Sequence, residues 1–415
     1  MNMITAPRAR RAALIRLLVC STTLALAASV PFKAAAFKMG PSGNRSDVGS
    51  RSLSGHFSDP IHENMAEASI ELAKRDAASL CKSTAYTSTT VPSPTVASID
   101  EFLAAPAGGS LSHEMCCHKG AESWLCDSLK EMRTKAFSDD SLPLVTGVRW
   151  NDDICHLTRD KSTRWATLWM NGVDVGRFNN LNYASHYHEL QFLHAMAPTS
   201  RTHPSDVLDA KATIRRIKMW AEFSFRVAEG TIPSDARLKD VREMLTPGMQ
   251  VDFDLAWKAW FPYQVDQLFT GVKGAPPKQV RQVALGALLH TIQDSFSSSH
   301  VQRQRNRRNG YAPVLTDKGD IVRFHSYRLQ SPSAHGVADG RPKDIRGASV
   351  GDLHPVSIGA ELLACASAGS ADSESRWPIA RDTVAKAFTL ANPSVNLRSN
   401  AGEGMGAGSG DPQAP

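Results

Sequence analysis

Residues 287–300, ALLHTIQDSFSSSH, carry the most informative chemistry in the chain. His290 and Asp294 are four residues apart, so on a helix they stack on one face and can hold one metal ion. They also fit a plainer reading as two polar residues on a helix followed by a loop histidine. Against that, the preceding residues are apolar enough to bury the face, and a buried His and Asp need partners. His300 follows three serines that can end the helix, so the spacing lets it point elsewhere, towards a second ion.

Other stretches supply more donors. His335-Gly-Val-Ala-Asp339 repeats the four-residue interval, and Asp152 and Asp153 lie just beyond Trp150. Ser185-His186-Tyr187-His188-Glu189 and Asp59-Pro60-Ile61-His62 place histidines beside helix-forming sequence. Taken singly, each is as well explained by a capping aspartate, a core histidine or a solvated helix face.

In this order the residues resemble the superfamily shared by zinc-dependent phospholipases C and the fungal single-strand-specific nucleases. That family is an all-α fold holding three zinc ions. Its signature runs from an early His, through an Asp after an aromatic residue and a further His, to His-x3-Asp-x5-His and His-x3-Glu or His-x3-Asp. The chain matches the last two elements in full, as His290-x3-Asp294-x5-His300 and His335-x3-Asp339. The resemblance implies one zinc on Asp152, His186, His290 and Asp294, and a second on His300, His335 and Asp339. A third would take His62 and share Asp294. Two to three ions are expected, with Asp152 and Asp294 flanking the attacking water and His325 near the substrate. Three aspartates against three dications leave a positive site, suited to a phosphate anion.

The sequence also departs from that pattern. The family uses an N-terminal tryptophan amine on the third ion; here Phe57 stands at that spacing, and His56 is a substitute donor. The interval from Asp152 to His186 is long, which leaves His156 and His188 as rivals to His186. His186 is preferred because it sits just before the amphipathic run Leu190 to Met196.

The elements that must position these donors read as helices. A helix is expected from Asp59-Pro60, with Met65, Ala66, Ile70, Ala73 and Ala77 on one stripe. Val207, Ala210, Ile214, Ile217, Ala221, Phe225 and Ala228 form a second stripe that Gly230 ends. Residues 253–269 make an aromatic-rich helix broken at Pro262, and 279–296 make the helix that carries His290. Strand-like alternation is scarce. The expected architecture is all-α, a multi-helix domain with a disulfide-held insertion before about residue 145 and a polar loop over 83–98. The catalytic domain spans 56–340, a loose lead-in 37–55, a C-terminal extension 341–395 and a disordered tail 396–415.

The chain has 415 residues with 42% hydrophobic and 21% charged side chains, ordinary globular composition. Its formal charge of +6 is misplaced as a sign of nucleic-acid binding. Arg8, Arg10, Arg11, Arg16 and Lys33 all fall in residues 1–36, which hold no acid, so the remainder is near neutral. That basic, then apolar, segment ending in small residues reads as a cleaved signal peptide, placing the mature protein in the periplasm or outside the cell. No later stretch is apolar enough to cross a membrane. Cys81, Cys116, Cys117, Cys126, Cys155 and Cys365 then form an even set suited to three disulfides of undetermined pairing.

The resemblance implies phosphodiester hydrolysis. A phospholipase C acting on phospholipid at a membrane surface is expected, releasing diacylglycerol and a phosphorylated headgroup, with no stable nucleic-acid partner. Apolar residues Leu353, Val356, Ile358, Leu362 and Leu363 after the last ligand read as a membrane-approach element. A single-strand nuclease of the same fold is the alternative, with Arg303, Arg305, Arg307 and Arg308 as its basic track. A non-catalytic zinc-binding exported protein is a third reading.

Overall fold

The computed structural model describes residues 61–82, 93–104, 143–148, 150–151, 184–185, 188–199, 207–271, 273–305, 318–326, 345–368, 375–394 and 400–401. The expected leader and lead-in, the cysteines Cys116, Cys117, Cys126 and Cys155, and Asp152, His186, His335 and Asp339 lie outside the described residues. Helices dominate: α1 (Ile61–Arg75), α2 (Val96–Leu103), α3 (Pro143–Gly147), α4 (Ala210–Glu229), α5 (Leu238–Met244), α6 (Gln250–Trp257), α7 (Val265–Thr270), α8 (Pro277–Asp294), α9 (Pro355–Ala368) and α10 (Trp377–Ala387). None of the described helices is long and apolar enough to cross a membrane.

The long helices follow their sequence signals. Asp209 caps α4, its Oδ1 accepting from Ala212 N at 2.7 Å, and Gly230 ends it at φ 91° in the left-handed region. The aromatic stretch splits around Pro262 into α6, a 3-10 turn over Lys258–Trp260, and α7. Two differences have local causes. The polar loop expected over 83–98 stops short, because Thr95 and Ser98 cap each other and start α2 at Val96. The chain also contains a small sheet: β1 (Val301–Arg305) pairs antiparallel with β2 (Lys318–Ser326), and β2 pairs parallel with β3 (Asn400–Ala401). In β1 the inward residues are Val301 and Arg303, so the alternation is hidden by a buried arginine.

Helix α8 is the hub. It packs against α1, α3, α4, α7 and α9, and is buried nearly all round, which its apolar residues on every face require. Its contact with α3 is backbone against backbone. A Cβ on Gly286 would meet Leu144 O at 2.3 Å, and one on Gly147 would meet Val283 O at 2.7 Å. Gly286→Ala is therefore expected to push α3 off α8 and cost about 3 kcal/mol, the upper end for overpacking, since backbone cannot swing aside. Urea unfolding of the two proteins measures it; an unchanged midpoint would show that α3 gives way freely.

Helices α9 and α10 are part of the same core. Val356, Ile358, Leu362 and Leu363 are buried, and α9 lies along α1 and α8. This corrects the reading of these residues as a membrane-approach element, because their apolar side chains are already covered. Gly359 is what lets α9 close on α1: a Cβ there would meet Ser69 Oγ at 2.5 Å. A disulfide between Cys81 and Cys365 fastens the same pair of elements, and Glu361 Oε1 accepts from Cys81 N at 2.8 Å.

Candidate metal centre

Four imidazoles and one carboxylate meet at the C-terminal end of α8: His62 from α1, His194 from a 3-10 turn over Gln191–His194, and His290, Asp294 and His300. All five are wholly buried. An aspartate in the last turn of a helix faces the negative end of the helix dipole, so its position is unfavourable unless cations or donors surround it.

Three of the imidazoles are oriented in one way. His290 Nδ1–H donates to Val148 O at 2.6 Å, His300 Nδ1–H to His194 O at 2.6 Å, and His62 Nδ1–H to Gln293 Oε1 at 2.6 Å. A carbonyl oxygen can only accept, so in each neutral ring the proton sits on Nδ1 and Nε2 carries a lone pair. This is the arrangement that supports histidine ligands in metal sites.

The lone pairs then converge. His290 Nε2 lies 2.9 Å from Asp294 Oδ2 and 3.1 Å from His194 Nδ1, and His194 Nδ1 lies 3.0 Å from the same Oδ2. One hydrogen on His194 Nδ1 can serve only one of the other two atoms. At least one of the close contacts therefore has no His194 hydrogen in it, and needs a proton on His290 Nε2 or a cation there instead. A tetrahedral ion at about 2.0–2.1 Å from each donor would separate the donors by roughly 3.3 Å, close to what is seen. Asp294 Oδ1 has no hydrogen-bond partner, and His62 Nε2 lies 3.4 Å from it. The buried His62, His290 and Asp294 thus form a cluster that could hold a metal ion.

Burial opposes ionisation of Asp294, but His290 and His300 attract its charge and His194 and His290 hydrogen-bond it. Together they hold its carboxyl well below the usual carboxylate range.

The supports come from every neighbouring element. Thr291 Oγ1 donates to Leu193 O at 2.7 Å and accepts from Trp220 Nε1 at 3.1 Å, while Asn151 Nδ2 reaches Leu193 O at 2.8 Å. Those bonds pin the turn that presents His194. Ala195 follows in the left-handed region, at φ 50°, and turns the chain away. Arg303 donates to Ser295 O at 2.9 Å and Ala387 O at 2.6 Å and lies over the Phe296 ring, fastening the end of α8. Burial pushes its pKa down to about 9, so it remains a cation at neutral pH. Arg303 is therefore a clamp inside the protein rather than a member of a basic track; Arg307 and Arg308 lie outside the described residues.

Of the donors expected from sequence, His62, His290, Asp294 and His300 come together. The turn Ser297–His300 brings His300 Nδ1 within 3.6 Å of Asp294 Oδ2, while that same nitrogen donates to His194 O. His325 is buried on β2, where its backbone N donates to His300 O at 2.8 Å and its carbonyl accepts from Ala197 N at 2.7 Å. His188 is half-buried, and His156 and His56 lie outside the described residues. His194 was not singled out by sequence. It sits in the run Leu190 to Met196, where burial of Leu190, Phe192, Leu193 and Met196 on both sides was the available signal.

Comparison with protein-family models, with characterised proteins and with solved structures gives no match.

Proposed function

We propose that this protein is an exported, zinc-dependent phosphodiester hydrolase, and that it acts as a phospholipase C. The observation that carries the metal reading is the buried cluster of His62, His290 and Asp294, with His194 Nδ1 a further ring nitrogen 3.0 Å from Asp294 Oδ2 and 3.1 Å from His290 Nε2. Imidazole nitrogen and carboxylate oxygen are the donor types zinc takes, in preference to the all-oxygen sets of magnesium or calcium. His62, His194, His290, Asp294 and His300 would hold it. Asp152, His186, His335 and Asp339 would complete two to three ions as the family resemblance implies.

Bound zinc supplies Lewis-acid polarisation of a phosphodiester oxygen and water acidic enough to be hydroxide at neutral pH. The chain's own residues supply the rest. The three Nδ1–H bonds to carbonyls fix the tautomer in which Nε2 of His62, His290 and His300 carries the lone pair of the neutral ring. Arg303 and Thr291 fix the end of α8 and the His194 turn, so the donors need little rearrangement. Asp294 offers charge on both oxygens at neutral pH.

The phospholipid reading draws support from Val251 and Leu255, one turn apart on α6 and 65% and 62% exposed, which suit contact with lipid. The Cys81–Cys365 disulfide agrees with an oxidising compartment and so with export. Purified protein should be given phosphatidylcholine and single-stranded DNA in parallel, each with and without a chelator, and the products read by mass spectrometry. Diacylglycerol that disappears with chelator is the expected result. Mononucleotides with intact lipid would replace the phospholipase by the nuclease, and no cleavage of either would leave a zinc-binding protein without catalysis.

A further inference from the structure

A cavity of about 490 Å³, far from the metal centre, is lined by Arg237, Lys239, Phe261, Pro262, Gln264, Gln267 and Lys273. It adjoins the segment that leads into the start of α8. His290 lies thirteen residues beyond Pro277 on that helix, about 20 Å at 1.5 Å per residue. Three of its lining residues are cations and none is a carboxylate. No ion pair is made by Arg237, Lys239 or Lys273 among the described residues.

The walls are fastened. Arg237 bridges Gln264 through the backbone, and Leu238 N donates to Tyr263 O at 2.8 Å. Gly274 N donates to Asp266 Oδ2 at 2.6 Å, which ties the turn bearing Lys273 to α7. Phe261 stacks on Phe253, ring centroids 6.3 Å apart, and is still partly exposed. Gln264 Nε2 donates to Asp235 O at 2.9 Å, which fixes the amide's orientation, and its Oε1 is buried with no hydrogen-bond partner.

We propose that this cavity binds an organic phosphate. The phosphate would rest among Arg237, Lys239 and Lys273, with its body against Phe261 and Pro262. The volume decides against a bare anion, since it is in the range of cavities that hold whole small molecules. The three cations with no opposing acid decide the charge of the ligand.

The test uses the full chain with its metal bound. Calorimetric titrations with inorganic phosphate and with glycerol phosphate are compared between the wild-type protein and a Lys239→Ser, Lys273→Ser double variant, both lysines being exposed. Glycerol phosphate is expected to bind more tightly than inorganic phosphate, and the double variant to bind it about tenfold more weakly, the sum of two exposed ion contacts. Sedimentation with phosphatidylglycerol vesicles in the cold separates the two sources of such a group. Lysine-dependent binding to vesicles alone assigns a lipid headgroup, and lysine-dependent binding of glycerol phosphate assigns a soluble ester. Phosphate binding that the double variant leaves unchanged belongs to the metal centre and overturns the proposal, as does an absence of binding in both arms.

Discussion

Asp294→Asn is expected to empty the metal centre and to lower any phosphodiesterase activity by more than about a hundredfold, the upper figure for losing a residue that merely supports a ligand. The substitution keeps the shape of the side chain and removes its charge. In the wild-type site Oδ2 touches His194 and His290 and Oδ1 faces His62, so one carboxylate serves both sides of the cluster. An asparagine amide would offer one neutral oxygen and a nitrogen that cannot bind a cation. Metal content per chain, with circular dichroism as a check on folding, reads the outcome; a folded variant with full metal content places the site elsewhere. The same carboxylate makes a pH effect expected in metal-free protein. Its pKa is depressed on folding, so its contribution to stability is fully present above the unfolded carboxylate value near 4, and is lost as pH falls through the folded value.

His194→Gln is expected to weaken metal binding by at least about tenfold in competition with a chelator. His194 Nδ1 lies 3.0 Å from Asp294 Oδ2 and 3.1 Å from His290 Nε2, and glutamine can retain a neutral contact there without an imidazole's basicity. Because the backbone carbonyl of residue 194 still accepts from His300, the variant keeps the support for that ring. His188→Gln serves as the comparator, since it lies in the neighbouring histidine-rich stretch and is only half-buried. A larger loss from His188→Gln would move the ligand role to that stretch.

His194 also shows where a sequence is legible and where it is not. His290 and Asp294 could be paired because helix geometry relates residues four apart, and their contact needs nothing from the rest of the chain. His194 meets them across separations of 96 and 100 residues, through a turn whose direction depends on Thr291, Asn151 and Ala195. No local period encodes such a meeting. Residues 353–363 illustrate the same limit from the other side. An apolar run states that something will cover it, and only the packing of α9 on α1 and α8 shows that the cover is internal. The end of α4 at Gly230 was readable because a helix end is a local event. The β1–β2 pair was not, because a buried Arg303, with its own hydrogen bonds, sits where an apolar residue would have revealed the alternation.

The lock between α1 and α9 has a consequence for how the protein is made. His62 is carried by an early helix whose packing partner is encoded some three hundred residues later, and Cys81 must wait for Cys365, 284 positions downstream. A chain leaving the ribosome therefore has α8, with His290 and Asp294, before it has the surface that fixes His62 in place. The cluster of His62, His290 and Asp294 is therefore assembled late in biosynthesis, after α9 has emerged. Until then a nascent chain carries these imidazoles without their final geometry, and any ion the cluster takes would be held tightly only by the finished molecule.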